Sequence, residues 1–231
     1  MISNYMSEEY AKRKNAQSAL QRISCTISPP GRLLDIGCFC GVFLDVAGQA
    51  GWTCQGVEPL LGPSIYARSH YGLNVVTNTL SEDTFEQGSF DVITSFQVFE
   101  HLVDPVRELR IINSLLKPGG IVVIEVPNLS VFAAKLFRGY HRHFVKDHLN
   151  FFNRRTLEKA LEDSGFLPVD LWYPSRLMTA EHLLGWLRRL TGNAGSASHD
   201  ENLSREPRAS GFIKLNFRDI IAVVARKNID A

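Results

Sequence analysis

Asp35 and Glu58 are the two acids whose placement carries chemistry. Residues 33–41 read Leu-Leu-Asp-Ile-Gly-Cys-Phe-Cys-Gly. Leu33, Leu34 and Ile36 form a short apolar run followed by Gly37 and Gly41, a pattern that predicts a buried parallel strand turning sharply into a helix. Gly37 permits a backbone geometry that a side chain would forbid, and Gly41 lets the following helix approach closely. A carboxylate at the end of such a strand is costly unless a cation or hydrogen-bond donors meet it. Asp35 therefore reads either as a capping acid in a tight turn or as the partner of a cationic or hydroxyl-rich cofactor. Glu58 favours the cofactor. The stretch 53–58 predicts a second strand ending in this acid, 23 residues after Asp35 and beyond a helix-length segment, 42–50. In βαβ nucleotide sites an acid about 20 residues on, at the tip of the second strand, accepts hydrogen bonds from ribose hydroxyls. A dinucleotide fingerprint would need glycine where Phe39 and Val42 stand, so a nicotinamide cofactor is the weaker reading.

The elements that must hold these acids in place alternate along the chain. Helical character over 7–24 puts Ala11, Ala16, Ala19, Leu20 and Ile23 on one face, and Pro29-Pro30-Gly31 ends it. Third, fourth and fifth strands are predicted over 73–77, 91–95 and 120–126, the last with an uninterrupted Ile-Val-Val-Ile core suited to burial on both faces. Between the last two, Val106, Leu109, Ile112, Leu115 and Leu116 recur at helical spacing until Lys117-Pro-Gly-Gly120 stops the helix. Asn153 predicts the cap of a helix running to Ser164, with Gly165 as terminator. Two final strands are expected over 167–173 and 219–226. Between them, 176–190 reads as an amphipathic helix and 191–210 as a polar, mobile stretch. Strands separated by helices imply a parallel sheet with right-handed crossovers. A single domain, 1–231, is expected: a helical segment 1–30, a core over 31–175 and 211–231, and an insertion 176–210.

Composition excludes several classes. The 231 residues can bury a full core, and a net charge of +1 gives no electrostatic footprint for nucleic acid. Cys25, Cys38, Cys40 and Cys54 lack the paired spacing of a zinc site and read as small apolar residues of a reduced, cytoplasmic chain. No run approaches membrane-spanning length.

Together, 33–41, Gly56-Val-Glu58, Ser89-Phe-Asp-Val-Ile-Thr94, Glu100-His101-Leu-Val-Asp-Pro105 and Leu116-Lys-Pro-Gly-Gly120 resemble, in order and spacing, the class I S-adenosylmethionine-dependent methyltransferases. The likeness is to the branch that resembles the ubiquinone-pathway O-methyltransferases, and it covers roughly residues 30–170. It implies an α/β, Rossmann-like doubly wound sheet of seven strands, mostly parallel with an antiparallel last strand. It implies S-adenosylmethionine as cofactor, the backbone of Gly37, Cys38 and Gly41 flanking its methionine part, Asp35 at its ammonium and Glu58 at its ribose. Thr79 and Leu80 stand where the family contacts adenine, and Gln97 where it lines the methionine end. Phe39 departs from the small residue usual in the first motif, so its ring must point away from the cofactor or reshape the turn. An aromatic near the N-terminus, Tyr5 or Tyr10, either closes over the cofactor or packs against the domain. Some relatives bind a divalent ion with two glutamates and a histidine around Gln97, Glu100 and His101. With Gln97 in place of the first acid, no metal is expected.

The acceptor should be a small hydroxylated molecule, a metabolite, glycan or lipid precursor, methylated on oxygen. A hydroxyl acceptor benefits from a base. His148, within Asp147-His-Leu-Asn-Phe-Phe152, is the candidate, because an imidazole with pKa near 6.5 is neutral at cytoplasmic pH. The alternative is that His148 only anchors its loop to the next helix. His141 and His143, in Tyr140-His-Arg-His143, are candidate acceptor hydrogen-bond partners. The competing function is a binding module that keeps the fold with weak or lost catalysis. Glu125-Val-Pro-Asn128 stands where amino-group DNA and protein methylases carry another tetrapeptide, and suits neither.

Overall fold

Strands buried on both faces form the centre of the molecule, seen in a computed structural model that describes residues 2–6, 8–27, 31–130, 147–179 and 212–229. The apolar runs of the sequence become β1 (Arg32–Ile36), β2 (Thr53–Val57), β3 (Asn74–Val76), β4 (Phe90–Phe96) and β5 (Leu116–Pro127), all paired in parallel. Then come β6 (Phe166–Trp172), β7 (Arg176–Thr179), β8 (Phe212–Leu215) and β9 (Ile220–Lys227). β9 inserts between β5 and β6 and runs antiparallel to both. The seven-stranded order is β3-β2-β1-β4-β5-β9-β6, the mostly parallel sheet with an antiparallel last strand that the motifs imply. Strand order reverses at β1, so the crevice at the carboxyl ends of β1 and β4 is where a ligand belongs in such a sheet.

Helices cover both faces because successive strand residues point to opposite sides. Along β5, Ile121 and Val123 join the core under α2 (Glu9–Thr26) and α3 (Val42–Gln49), with Ala67 of α4 (Leu61–Tyr71). Val122, Ile124 and Val126 join the other core, under α5 (Pro105–Leu115) and α6 (Arg154–Glu162). Truncating one of these fully buried residues, Ile124→Ala for instance, should cost about 2–5 kcal/mol. Asp104 caps α5 by accepting from the Arg107 N–H at 2.9 Å, with Pro105 in the first turn. Asn153 and Thr156 close a reciprocal capping box on α6. Outside 176–210, the predicted strands and helices occur within a few residues of expectation, and a short helix, α1 (Ile2–Met6), precedes α2.

The expected helix beginning at Arg176 does not form there. Arg176–Thr179 is instead β7, paired antiparallel with β8 in a two-stranded sheet. The pairing has a physical reason in the partner strand across it, reinforced where the Leu177 N–H donates to Asn15 Oδ1 of α2 at 3.2 Å. Residues 180–211, which hold the rest of the expected insertion, lie outside the described residues. Among the described residues no helix is long and apolar enough to cross a membrane.

Candidate active site

The turn after β1 is tied down by its own backbone. The N–H groups of Gly37 and Cys38 donate to the Val57 carbonyl at 2.8 and 3.3 Å, and Gly41 N–H donates to Cys38 O at 2.9 Å. Gly37 and Gly41 lie at φ 68° and 80°, where glycine carries no steric penalty. A Cβ on Gly41 would come within 2.5 Å of Leu73 Cδ1 and 3.0 Å of Ala67 Cβ. The close approach permitted by Gly41 is therefore to α4 and β3. The Cys38 side chain is buried, beside Gly56, so Cys38 offers the turn its backbone.

Glu58 holds this turn to the tip of β2. It is buried, and its Oε2 accepts from Phe39 N–H at 2.9 Å while Oε1 accepts from Leu60 N–H at 2.9 Å. Each carboxylate oxygen has a further lone pair, so a ribose hydroxyl can add to this arrangement without displacing it. Asp35 is 3% exposed and accepts from Thr94 Oγ1 of β4 at 2.6 Å. Burial pushes its pKa up to about 7, with Glu58 adding to the rise and Thr94 opposing it. A buried carboxyl in this state fits an incoming ammonium, which would restore the charged form. Leu80 is buried in the core on the α5 face, and Thr79 is exposed beside it, its N–H on Asn78 Oδ1 at 2.9 Å.

Phe39 adopts φ 47° and packs its ring on Tyr5, centroids 4.5 Å apart. The ring thus points out to α1. Burial raises the Tyr5 hydroxyl pKa well above its ordinary value, and Cys40 and Asp35 add to it. Tyr10 instead meets Phe212 of β8, centroids 5.1 Å apart.

The second half of the site lies at the ends of β4 and β5. Gln97 follows β4 at φ 58°. Its backbone N–H donates to the Glu125 carbonyl at 2.8 Å, and its Nε2 donates to Glu125 Oε1 at 3.2 Å. Next comes a 3-10 turn, Phe99–His101. The segment at 147–150 is strapped to that turn: Leu149 and Asn150 N–H donate to the Glu100 carbonyl at 2.7 and 3.0 Å. His101 Nδ1 lies 2.8 Å from the Asp147 carbonyl oxygen, and because a carbonyl only accepts, that nitrogen carries a proton. These straps bring His148 against His101, ring centroids 4.7 Å apart. Ligand atoms of Glu100, His101 and His148 all fall within 4.8 Å of one another. Burial pushes Glu100 up to about 7, and its buried Oε2 has no hydrogen bond among the described residues. Sequence reasoning paired Glu100 with His101 but not with His148, which is 47 residues further on. It also passed over Glu125, Arg176 and Asp219, whose only signal was the unassigned acid at the end of the fifth strand. His141 and His143 lie outside the described residues.

A sheet of this order, with a glycine turn, a buried acid near the end of β1 and a second acid after β2, defines the class I methyltransferase architecture. Residues 7–171 match the family described as Methyltransferase domain, and the chain belongs to that family, the S-adenosylmethionine-dependent methyltransferases, with S-adenosylmethionine as its cofactor. Among known proteins it is similar to a ubiquinone biosynthesis O-methyltransferase of Ruegeria pomeroyi, 30% identical over 151 residues, covering 60% of this chain and 61% of that protein. A Pseudomonas aeruginosa protein of the same description is 33% identical over 103 residues, covering 42% and 44%. The chain thus matches at most about three fifths of the length of these relatives. Among solved structures, a methyltransferase of Thermotoga maritima shares the fold with TM-score 0.63 at 21% identity, covering 99% of this chain and 96% of that one. One from Archaeoglobus fulgidus does so with TM-score 0.62 at 23% identity, covering 97% and 99%.

Proposed function

We propose that the protein transfers the methyl group of S-adenosylmethionine to an oxygen of a small hydroxylated acceptor. The single observation that carries this reading is the buried Asp35 carboxyl beside the Glu58-anchored glycine turn, a pair of acids chemically suited to one ammonium and one ribose. In this reading Asp35 pairs with the ammonium, Glu58 accepts from ribose hydroxyls, and the backbone of Gly37, Cys38 and Gly41 flanks the methionine part. Thr79 and Leu80 border adenine, and Gln97 lines the methionine end. The relatives named for O-methylation support oxygen as the acceptor atom. The reaction itself asks chiefly for positioning, which can contribute roughly 7–11 kcal/mol. The two ends of β4 and β5 supply it by holding the acceptor opposite the cofactor.

On that acceptor edge His148, packed against His101, is proposed as a base or a hydrogen-bond partner for the acceptor oxygen, and His141 and His143 as further partners of the acceptor. His148→Ala should lower turnover about 100-fold while leaving cofactor affinity intact. The test is a mass-shift screen of hydroxylated small molecules incubated with the protein and isotopically labelled S-adenosylmethionine. A product heavier by one labelled methyl group supports the reading. Cofactor binding without transfer to any candidate favours the binding-module alternative.

The proximity of Glu100, His101 and His148 favours a second reading of this edge. One carboxylate and two imidazoles suit a divalent transition metal better than a hard cation, and Glu100 Oε2 is a buried acceptor with no hydrogen bond among the described residues. Bound there, such an ion would polarise the acceptor hydroxyl as a Lewis acid. Loss of turnover on chelation, restored by zinc or manganese, would select this reading.

A further inference from the structure

Glu125 is a carboxylate that neither the cofactor cradle nor the Glu100–His101–His148 cluster uses. The alternation along β5 sets its direction. Val122, Ile124 and Val126 belong to the core on the α5 face, so Glu125 points with Ile121 and Val123 toward the α2 and α3 side. It does so two residues from the carboxyl end of β5, the edge on which ligands settle.

Several charged and polar groups converge on it. From the end of β4, Gln97 holds Glu125 twice, by its backbone N–H on the carbonyl and its amide on Oε1. That Gln97 keeps φ 58°, a conformation that strains a non-glycine residue, is the kind of strain retained at functional sites. From β7 comes the Arg176 guanidinium, 3.7 Å from Asp219 Oδ2 and also facing the Glu125 charge. Asp219, just before β9, and Glu100, from the 3-10 turn, add like charge. Among the described residues, the Arg176 guanidinium thus faces the carboxyls of both Asp219 and Glu125. Burial, with the charges of Glu100 and Asp219, outweighs Arg176 and Gln97 and pushes Glu125 up to about 7, so it exchanges a proton near neutral pH.

We propose that Glu125 is the general base of methyl transfer, with Gln97 and Arg176 as the residues that position it. The acceptor oxygen attacks the methyl carbon of S-adenosylmethionine and forms the new C–O bond. The C–S bond breaks and its electron pair passes to sulfur, leaving S-adenosylhomocysteine, and the hydroxyl proton passes to the Glu125 carboxylate. His148 then binds the acceptor without taking its proton. This inference rests on the methyltransferase reading above.

The test follows transfer from tritiated S-adenosylmethionine to a defined pool of phenols, catechols, sugars and hydroxy acids, with S-adenosylhomocysteine affinity measured by calorimetry on every variant. With S-adenosylmethionine saturating at every pH, so that Asp35 is held ionised, Glu125→Gln should lower transfer about 100-fold, abolish the acidic limb of the rate profile and change S-adenosylhomocysteine affinity by less than about twofold. Gln97→Met removes a hydrogen bond that favours the ionised carboxylate, so the limb of whatever transfer remains should move to higher pH. An intact limb in Glu125→Gln, or a limb lost in His148→Ala and kept in Glu125→Gln, would overturn the assignment. Should Glu125→Gln fail to fold, an unmoved limb in Gln97→Met overturns it instead. No labelled product with the wild-type protein overturns the O-methyl reading, and this one with it; normal transfer by Glu125→Gln overturns this one alone.

Discussion

The two edges of the crevice treat their acids in opposite ways. On the cofactor edge, both oxygens of Glu58 accept backbone N–H groups, and the turn they anchor is bonded to β2 through Val57. On the acceptor edge, Glu100 keeps an oxygen with no hydrogen bond among the described residues, and Glu125 shares one guanidinium with Asp219. The first edge is satisfied by its own backbone; the second gathers buried carboxyls, the charges of Glu100 and Asp219 raising the pKa of Glu125. Asp35 lies on the first edge but behaves like the other: it is buried, with its pKa at about 7. A rigid cradle serves a cofactor of fixed shape, while poised carboxyls serve a step in which a proton moves.

The largest break in this contrast should come from Glu58→Ala. Hydrogen bonds to a charged group contribute roughly 1.5–3 kcal/mol each, and two backbone donors would be left buried. Stability should fall by about 3 kcal/mol or more, with a cofactor affinity loss of about tenfold or more, read by thermal denaturation and calorimetry. Asp35→Asn should separate the two effects. It removes a carboxyl that is costly to ionise where it sits, so stability at pH 8 should hold or rise, while cofactor affinity falls about tenfold or more.

A pH series sharpens the comparison on the acceptor side. Asp35, Glu100 and Glu125 have folded pKa values of about 7, raised above an unfolded value of roughly 4. Between these limits the folded chain holds protons that the unfolded chain has released. Stability from these groups should therefore decline as pH rises from about 4 to 7 and level off above. Denaturant midpoints at pH 5 and 8 check this, and Glu100→Gln should make the decline shallower.

The smallest effect belongs to Phe39→Gly. Relief of the left-handed backbone, about 1 kcal/mol, is offset by loss of the Tyr5 contact, about 0.5–1.5 kcal/mol. Stability should stay within about 1 kcal/mol of wild type, and cofactor affinity should be unchanged or better, because the ring points to α1.

What the sequence revealed follows the same division. The cofactor edge was legible because its residues are local: a strand, a glycine turn and an acid at fixed spacing. The strands were legible because burial on both faces demands unbroken apolar runs such as Ile121–Ile124. The acceptor edge was not, since it is assembled by backbone straps from Leu149 and Asn150 to Glu100 and by Arg176 reaching in from β7. Neither leaves a periodic trace. Arg176–Thr179 misled for a related reason. Its conformation is decided by pairing with β8, 33 or more residues away, whereas helical periodicity reports only on neighbours.

If Asp35 receives the cofactor's ammonium as a carboxylate, protons must compete with the cofactor for it. Calorimetric titration of S-adenosylmethionine between pH 5.5 and 8, in buffers of different ionisation enthalpy, tests it most directly. Since burial holds Asp35 at about 7, affinity should fall about tenfold per pH unit below that value and binding near pH 6 should release close to one proton. Both effects should vanish in Asp35→Asn, which should bind weakly throughout. Affinity that ignores pH in the wild-type protein, or an Asp35→Asn variant that binds as tightly as wild type, would contradict the account.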